Sequence, residues 1–326
     1  MTSTSYFPWQ RESWSSLIEQ VGRNRLAHAY LLIGPQGTGR LGFARYFAQW
    51  LLCENQDKTQ HKEACQQCRS CQLWLSSNHP DFFEVTPELP SKIIKVDAIR
   101  ALSSRINQTS NQAGSKRVII IRPAEAMAAA AANALLKSLE EPPEGVVFLL
   151  VANADASLLA TVRSRCQPVN LPLPGVDEAM TYLKTVSPAE TPEQMQEALR
   201  LATNRPMRAV EMTEAGIPAW FSEMQQMIKK METGHLLSME VAKQCEQQPS
   251  QYAIPLLQQL VLEKVRISAL DSDNEQYQAT SMVWQKVYQA LTAAQQELAA
   301  TANINPLMTY EYLFTLWQRA AIKSAS

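Results

Sequence analysis

Four short, near-continuously apolar runs punctuate the first half of the chain: Ala29-Tyr30-Leu31-Leu32-Ile33, Phe82-Phe83-Glu84-Val85, Val118-Ile119-Ile120-Ile121 and Val146-Val147-Phe148-Leu149-Leu150-Val151. Runs this short, with almost no polar alternation, are the pattern of strands covered on both faces in a parallel sheet. Between them the period changes. After Gly39, residues Phe43, Phe47, Trp50 and Leu51 recur at helical spacing, and Met127 to Leu139 is an Ala- and Leu-rich helix stopped by Pro142-Pro143. Strands alternating with such helices predict an α/β domain, a parallel sheet with helices on both faces and right-handed crossovers. Pro172-Leu173-Pro174-Gly175 marks its end, so the first domain is expected over residues 1–171.

Beyond Gly175 the β-rich runs disappear. Asp177 to Val186 and Pro192 to Ala202 read as helices, and Pro206 is expected to interrupt the pattern before a further helix around Arg208 to Met212, giving a small helical domain over 172–215. From about Ile217 onward, Trp220 to Met231, Ser238 to Gln247, Ala253 to Leu270, Ser281 to Leu298 and Pro306 to Ile322 predict an all-helical third domain, 216–326. Trp284, Tyr288, Leu291, Tyr310, Leu313 and Trp317 lie at helical spacing there, which suits an internal core or a subunit interface.

Composition changes this picture little. A chain of 326 residues accommodates two or three domains of roughly 100–200 residues. Hydrophobic residues at 46% and charged residues at 19% are ordinary for a soluble protein. No apolar run approaches the roughly 18 residues of a membrane span, and Met1 to Gln10 lacks a basic stretch followed by an apolar core, so a cytoplasmic protein is expected. A net charge of −1 provides no global attraction to nucleic acid.

The candidate chemistry begins at Gly34-Pro35-Gln36-Gly37-Thr38-Gly39-Arg40-Leu41, which follows a strand and opens a helix. A GxxxxGK[ST] phosphate loop in that setting cradles phosphates in backbone N–H groups, adds a Lys ammonium and holds Mg²⁺ with a hydroxyl. Here Gly34, Gly37 and Gly39 keep the backbone pattern, but Arg40 replaces the compact ammonium with a planar fork and Leu41 has no oxygen for a metal. The alternative is a plain glycine-rich turn. An ATPase of this kind also needs acidic residues after a neighbouring strand, whereas Arg122 and Pro123 follow Ile121; Glu125 nearby is a weak substitute. On an ATPase fold, two losses in one pocket predict a chain that does not hydrolyse ATP unaided, with the degenerate loop expected to be empty and no ATP cofactor expected.

The six cysteines are distributed unevenly. Cys53, Cys65, Cys68 and Cys71 form C-x11-C-x2-C-x2-C, while Cys166 and Cys245 stand alone. Four thiolates at that spacing suit a closed tetrahedral Zn²⁺ site, structural because no position is left for water. Free thiols in an insertion are the alternative, and His61 and His79 are possible substitute ligands.

Leu135-Leu136-Lys137-Ser138-Leu139-Glu140-Glu141-Pro142-Pro143, followed by a hydrophobic strand and then Ser164-Arg165-Cys166, resembles the signature of bacterial clamp-loader subunits of the AAA+ class. Asn78-His79-Pro80-Asp81 and Ala132-Asn133-Ala134 extend the resemblance, which reaches to about residue 215. Arg40, Leu41, Arg122 and Pro123 depart from the motor subunits, and the retained cysteines and Ser-Arg-Cys look like the non-hydrolysing, delta-prime type of the DNA polymerase III clamp loader. The resemblance implies an AAA+ domain, a helical lid and a helical collar. It also implies gamma/tau motor subunits and delta as partners, an accessory role to a DNA-directed DNA polymerase, and loading of a sliding clamp at primer-template DNA. By the same resemblance Ser164 and Arg165 form the catalytic contribution, Arg165 as an arginine finger supplied in trans to a neighbour's γ-phosphate, and Asn153 stands where the family has a nucleotide sensor. A second sensor arginine is expected near Arg205 or Arg208, with neither preferred. Two other functions stay open: an independent ATPase using Arg40 and Glu125, and a zinc-dependent DNA-binding module using Lys58, Lys62 and Arg69.

Overall fold

The computed structural model describes residues 6–23, 25–55, 63–106, 116–154, 158–269, 275–300 and 305–325. They sort into two compact units, 1–209 and 210–326.

In the first unit, strands β1 (Ala29–Gly34), β2 (Phe82–Val85), β3 (Arg117–Ile121), β4 (Val146–Asn153) and β5 (Gln167–Asn170) form one sheet in the order β2-β3-β4-β1-β5. Every neighbouring pair is parallel. The near-continuous apolar runs are explained by what covers the strands. Tyr30, Leu32, Val118, Ile120, Val147, Leu149 and Val151 pack on one face with helices α1 (Arg11–Gly22) and α2 (Arg40–Leu52). The intervening Leu31, Ile119, Ile121, Phe148, Leu150 and Ala152 pack on the other face with α4 (Val96–Ile106) and α5 (Ala129–Glu140), while α3 (Arg69–Leu75) lies in the cysteine-bearing insertion. Because side chains alternate across a strand, burial of both sets demands apolar residues at successive positions.

The predicted strands all form, the first, third and fourth extended by a residue or two at their ends. β5 has no apolar run to announce it, since Gln167, Pro168 and Asn170 are not core residues and Val169 alone of the four is buried. It survives as an edge strand, where a proline's missing N–H costs no ladder bond. Helices α1 and α4 also escape the reading above, although Trp14, Leu17 and Ile18, and Ile99, Leu102 and Ile106, lie on helical stripes. The helix expected from Met127 starts at Ala129, after a 3₁₀ turn at Ala124–Ala126.

A short helix α6 (Ala160–Arg163) precedes β5, and α7 (Val176–Val186), α8 (Pro192–Leu201) and α9 (Pro206–Glu214) follow it. Pro206 separates α8 from α9, as expected, and is itself the first residue of α9, where a proline removes an N–H that has no intrahelical partner. The division between the units falls inside α9, about a turn before the boundary expected at 215, so α7 and α8 belong to the first unit.

The second unit contains α10 (Ile217–Glu232), α11 (Ser238–Glu246), α12 (Ser250–Ala269), α13 (Glu275–Ala300) and α14 (Pro306–Ala325). Trp284, Leu291, Tyr310, Leu313 and Trp317 are buried within it, so these positions form its own core, while Tyr288 is only half-buried. Among the described residues no helix is long and apolar enough to cross a membrane.

Phe148 is fully buried at the centre of β4. Phe148→Ala is expected to destabilise the first unit by about 3–5 kcal/mol through lost burial and the cavity left behind, measured as a lowered urea midpoint.

Candidate functional site

The Gly34–Leu41 loop leaves the C-terminal end of β1 and enters α2, in the region where open parallel sheets offer their ligand crevice. Gly37 and Gly39 have φ of 83° and 84°, in the left-handed region that favours glycine. Both are also closely approached. A Cβ on Gly39 would lie 2.2 Å from the Phe7 ring, and one on Gly37 would lie 2.9 Å from the Cβ of Arg208.

The approach of Phe7 belongs to a larger contact. Trp9 Nε1 and Gln10 Nε2 both donate to the carbonyl of Thr38, at 2.9 and 3.0 Å. Phe7 stacks on Trp9 with ring centroids 4.7 Å apart, and Tyr182 of α7 meets both rings edge-on. The N–H of Met207 donates to the carbonyl of Gly37 at 3.2 Å, and the Thr38 hydroxyl donates to the carbonyl of Pro35 at 2.8 Å. The loop is therefore held from two sides by the N-terminal segment and by α7 and α9. No local sequence signal marks Phe7, Trp9, Gln10 or Tyr182 as loop partners, because they come from distant parts of the chain.

Arg40 turns back against the end of the sheet. Its guanidinium donates to the carbonyl of Ala152 and, at 2.6 Å, to Oδ1 of Asn153. The N–H of Asn153 donates in turn to Oε1 of Glu125 at 3.3 Å, leaving Oε2 of Glu125 buried without a hydrogen-bond partner. Arg40, Asn153 and Glu125, which the sequence placed in separate roles, are thus joined at the ends of β1 and β4. The Leu41 side chain packs against the core on the α2 face. Arg122 pairs with Glu84 of β2, which also pairs with Arg45 of α2 at 2.8 Å. Arg122 neutralises a carboxylate and supplies none to the loop.

Arg205 and Arg208, at and just inside the start of α9, both come close to Gly37. Nε of Arg205 is buried without a hydrogen-bond partner. Ser164 and Arg165 lie elsewhere, after α6. The Ser164 hydroxyl donates to the carbonyl of Thr161 at 3.2 Å, closing its own helical turn. Arg165 Nη1 donates to the carbonyl of Thr161 at 3.0 Å, and Nη2 pairs with Oε1 of Glu140 at 2.6 Å. Cys166 is buried beside them, and burial pushes its thiol up to about 11, as expected of an inert packing residue.

Cys53, just after α2, and Cys65, Cys68 and Cys71, around the start of α3, place their four sulfurs within 4.8 Å of one another. This cluster could hold a metal ion. Backbone N–H groups of Cys65, Cys68 and Cys71 donate to the sulfurs of Cys53, Cys65 and Cys68 at 3.3–3.4 Å. N–H groups of Gln67 and Cys68 aimed at its sulfur hold the Cys65 thiol down at about 6, whereas burial pushes the Cys71 thiol well up. A bound cation would remove this conflict by favouring the thiolate at every position.

His79 is not part of the sulfur cluster. Its Nδ1 accepts from the N–H of Asp81 at 3.2 Å, so Nε2 carries the proton toward the Ser70 hydroxyl at 2.8 Å, and that hydroxyl donates to the carbonyl of Leu52 at 2.6 Å. Asp81 pairs with Arg117 of β3 at 3.3 Å, and Arg117 also donates to the carbonyl of Ile106. The Asn78-His79-Pro80-Asp81 segment thereby ties the cysteine insertion to the sheet. His61, Lys58 and Lys62 lie outside the described residues.

Comparison with known proteins finds a family over the first half of the chain. Residues 9–174 match the family model described as DNA polymerase III, delta subunit. The DNA polymerase III subunit delta' of Pseudomonas aeruginosa is 39% identical over 69% of this chain and 66% of its own length. The subunit delta' of Yersinia pestis is 36% identical over 64% and 62%, and that of Escherichia coli 33% over 64% and 60%. The matched region thus spans somewhat less than two thirds of each of these relatives. A solved structure of a DNA polymerase III gamma subunit-related protein from Thermotoga maritima is 20% identical, covering 94% of this chain and 99% of that one, with a TM-score of 0.46. Since the family model accounts for half of the chain, including the phosphate-loop region, the cysteine cluster and Arg165, the chain belongs to the DNA polymerase III delta-subunit family.

Proposed function

We propose that this chain is a non-hydrolysing, delta'-type AAA+ subunit of a DNA polymerase III clamp loader. In this reading it assembles with gamma/tau motor subunits and with delta, and the assembly loads a sliding clamp at primer-template DNA. The observation that carries it is the Arg40 guanidinium, hydrogen-bonded to Ala152 and Asn153 at the place where a phosphate loop would present its lysine. A group engaged in this way closes the sheet end with the chain's own oxygens. With Leu41 packed against the core and Arg122 paired with Glu84, neither residue offers an oxygen to Mg²⁺ or to an attacking water. The N–H of Asn153 occupies one oxygen of Glu125 and the other is buried, which argues against Glu125 as a base open to an attacking water.

The chain's contribution to hydrolysis is then Arg165, reaching in trans to a γ-phosphate bound by a neighbour. A guanidinium suits this task because it is always charged and meets phosphate oxygens in a bidentate way. Ser164 supports it by fixing the turn from which Arg165 projects. Helices α7, α8 and α9 serve as the lid, and α10 to α14 as the collar.

The cysteine cluster is read as a structural Zn²⁺ site. Tetrahedral zinc with Zn–S bonds of about 2.3 Å separates its sulfurs by about 3.8 Å, and the Cys53–Cys68 and Cys65–Cys71 sulfur pairs stand 4.0 Å apart. Four thiolates with no open position hold the insertion together and do no chemistry.

Three outcomes are expected. The isolated chain shows neither ATP hydrolysis nor saturable binding of a fluorescent ATP analogue at concentrations that saturate a motor subunit; metal-dependent turnover by the chain alone would sink the closed-loop reading. In an assembly reconstituted with motor subunits, Arg165→Ala lowers ATPase activity while the assembly forms normally, since fingers elsewhere contribute on the order of 10³–10⁵ at the site they serve; an undiminished rate overturns the trans role. Cys65→Ser lowers bound zinc, measured by atomic absorption, and lowers the thermal midpoint, as does a chelator on the wild type; equal zinc content in both proteins counts against the site.

A further inference from the structure

The Arg165 guanidinium does not project free into solvent. Both terminal nitrogens are engaged by its own chain, Nη1 with the Thr161 carbonyl and Nη2 with the Glu140 carboxylate. The backbone beneath it is fixed, because Val162 and Cys166 on either side are buried and the N–H of Arg165 donates to the carbonyl of Val162. Only the side chain is left to move.

Glu140 is oddly placed for any local purpose. It is the last residue of α5, where the unpaired carbonyls carry partial negative charge and an acidic side chain is disfavoured. A residue that breaks a local rule needs a compensating partner, and such places are often functional. Here the partner is Arg165, just after α6, which packs beside α5.

We propose that Glu140 is a positioning residue that parks Arg165 on its own chain, and that the γ-phosphate of a nucleoside triphosphate on the neighbouring subunit displaces it. This rests on the trans reading of Arg165 given above. Paired with Glu140, the guanidinium presents almost no net charge and has its terminal donors occupied. The pair is also weak enough to open. The side chains are 35% and 50% exposed, and a surface ion pair of that kind shifts a population by no more than about five-fold. A phosphate group offers more charge and bidentate acceptors. The finger is therefore ordered but neutralised in the free chain, and becomes charged toward its target when a nucleotide fills the neighbouring site.

The test uses the reconstituted assembly with Glu140→Gln, which keeps an acceptor oxygen and removes the charge, and with Glu140→Ala. Both are expected to raise kcat/KM for ATP by about two- to five-fold, chiefly through a lower KM. A change confined to KM is the signature of binding made equally in ground and transition states. In an Arg165→Ala background the same substitutions are expected to have no effect. Structural damage moves the numbers the other way, lowering kcat or the yield of assembly, and either of those results overturns the proposal. Unchanged kinetics in both variants overturns it too, as does a gain that persists without Arg165. If Arg165→Ala itself leaves ATPase activity intact, the trans role fails and parking falls with it. If Arg165→Ala lowers activity while Glu140→Gln is silent, parking alone fails.

Discussion

Strand β4 lies between β1 and β3 with seven of its eight residues buried, and the placement of the loop site depends on that burial. Its register against β1 sets Asn153 opposite Gly34, so the strand ends level with the start of the loop. This is what brings the Arg40 guanidinium within reach of the Ala152 carbonyl and the Asn153 amide. β3, paired on the other side, delivers Arg122 to Glu84 through its alignment with β2. The apolar contacts supply most of the favourable free energy of such a core, while the polar groups at the strand ends determine what the domain can bind.

At those strand ends the chain's own groups stand where an ATPase would meet its nucleotide. An arginine hydrogen-bonded to a carbonyl and an amide satisfies polar groups that water or a ligand would otherwise satisfy, and buried polar groups are costly to leave unpaired. The aromatic contact of Phe7, Trp9 and Tyr182 adds apolar burial on the other side of the loop. The N-terminal segment reaches the loop through two hydrogen bonds to one carbonyl, that of Thr38.

The cysteine insertion shows a similar division between the sulfurs and their support. The four sulfurs converge, but what orients them is a set of backbone N–H groups and a chain running from His79 through Ser70 to the Leu52 carbonyl. Supporting contacts of this kind fix ligand geometry at metal centres. The buried pair of Asp81 and Arg117 extends the same connection to β3.

The α/β architecture was legible from the amino-acid sequence because two-sided burial forces continuous apolar runs, and four of the five strands carry one. β5 was not, because an edge strand with a proline at Pro168 needs little apolar content. The helical second half was likewise legible from its periodicity, with Pro206 marking the break between two helices because a proline is tolerated at the first helical position and not further in. The spacing of Cys65, Cys68 and Cys71 already announced a cluster, since residues this close in sequence lie within one turn of chain, and Cys53 joins them. The missing hydroxyl at Leu41 and missing acids at Arg122 and Pro123 were equally plain, because absence of a functional group is a local property. Which partners Arg40, Glu140 and Arg165 take was decided only by tertiary structure. Arg40 meets Asn153, and Arg165 meets Glu140, across separations in the chain that no periodicity spans, and long charged side chains choose among partners according to what folding brings within hydrogen-bonding distance.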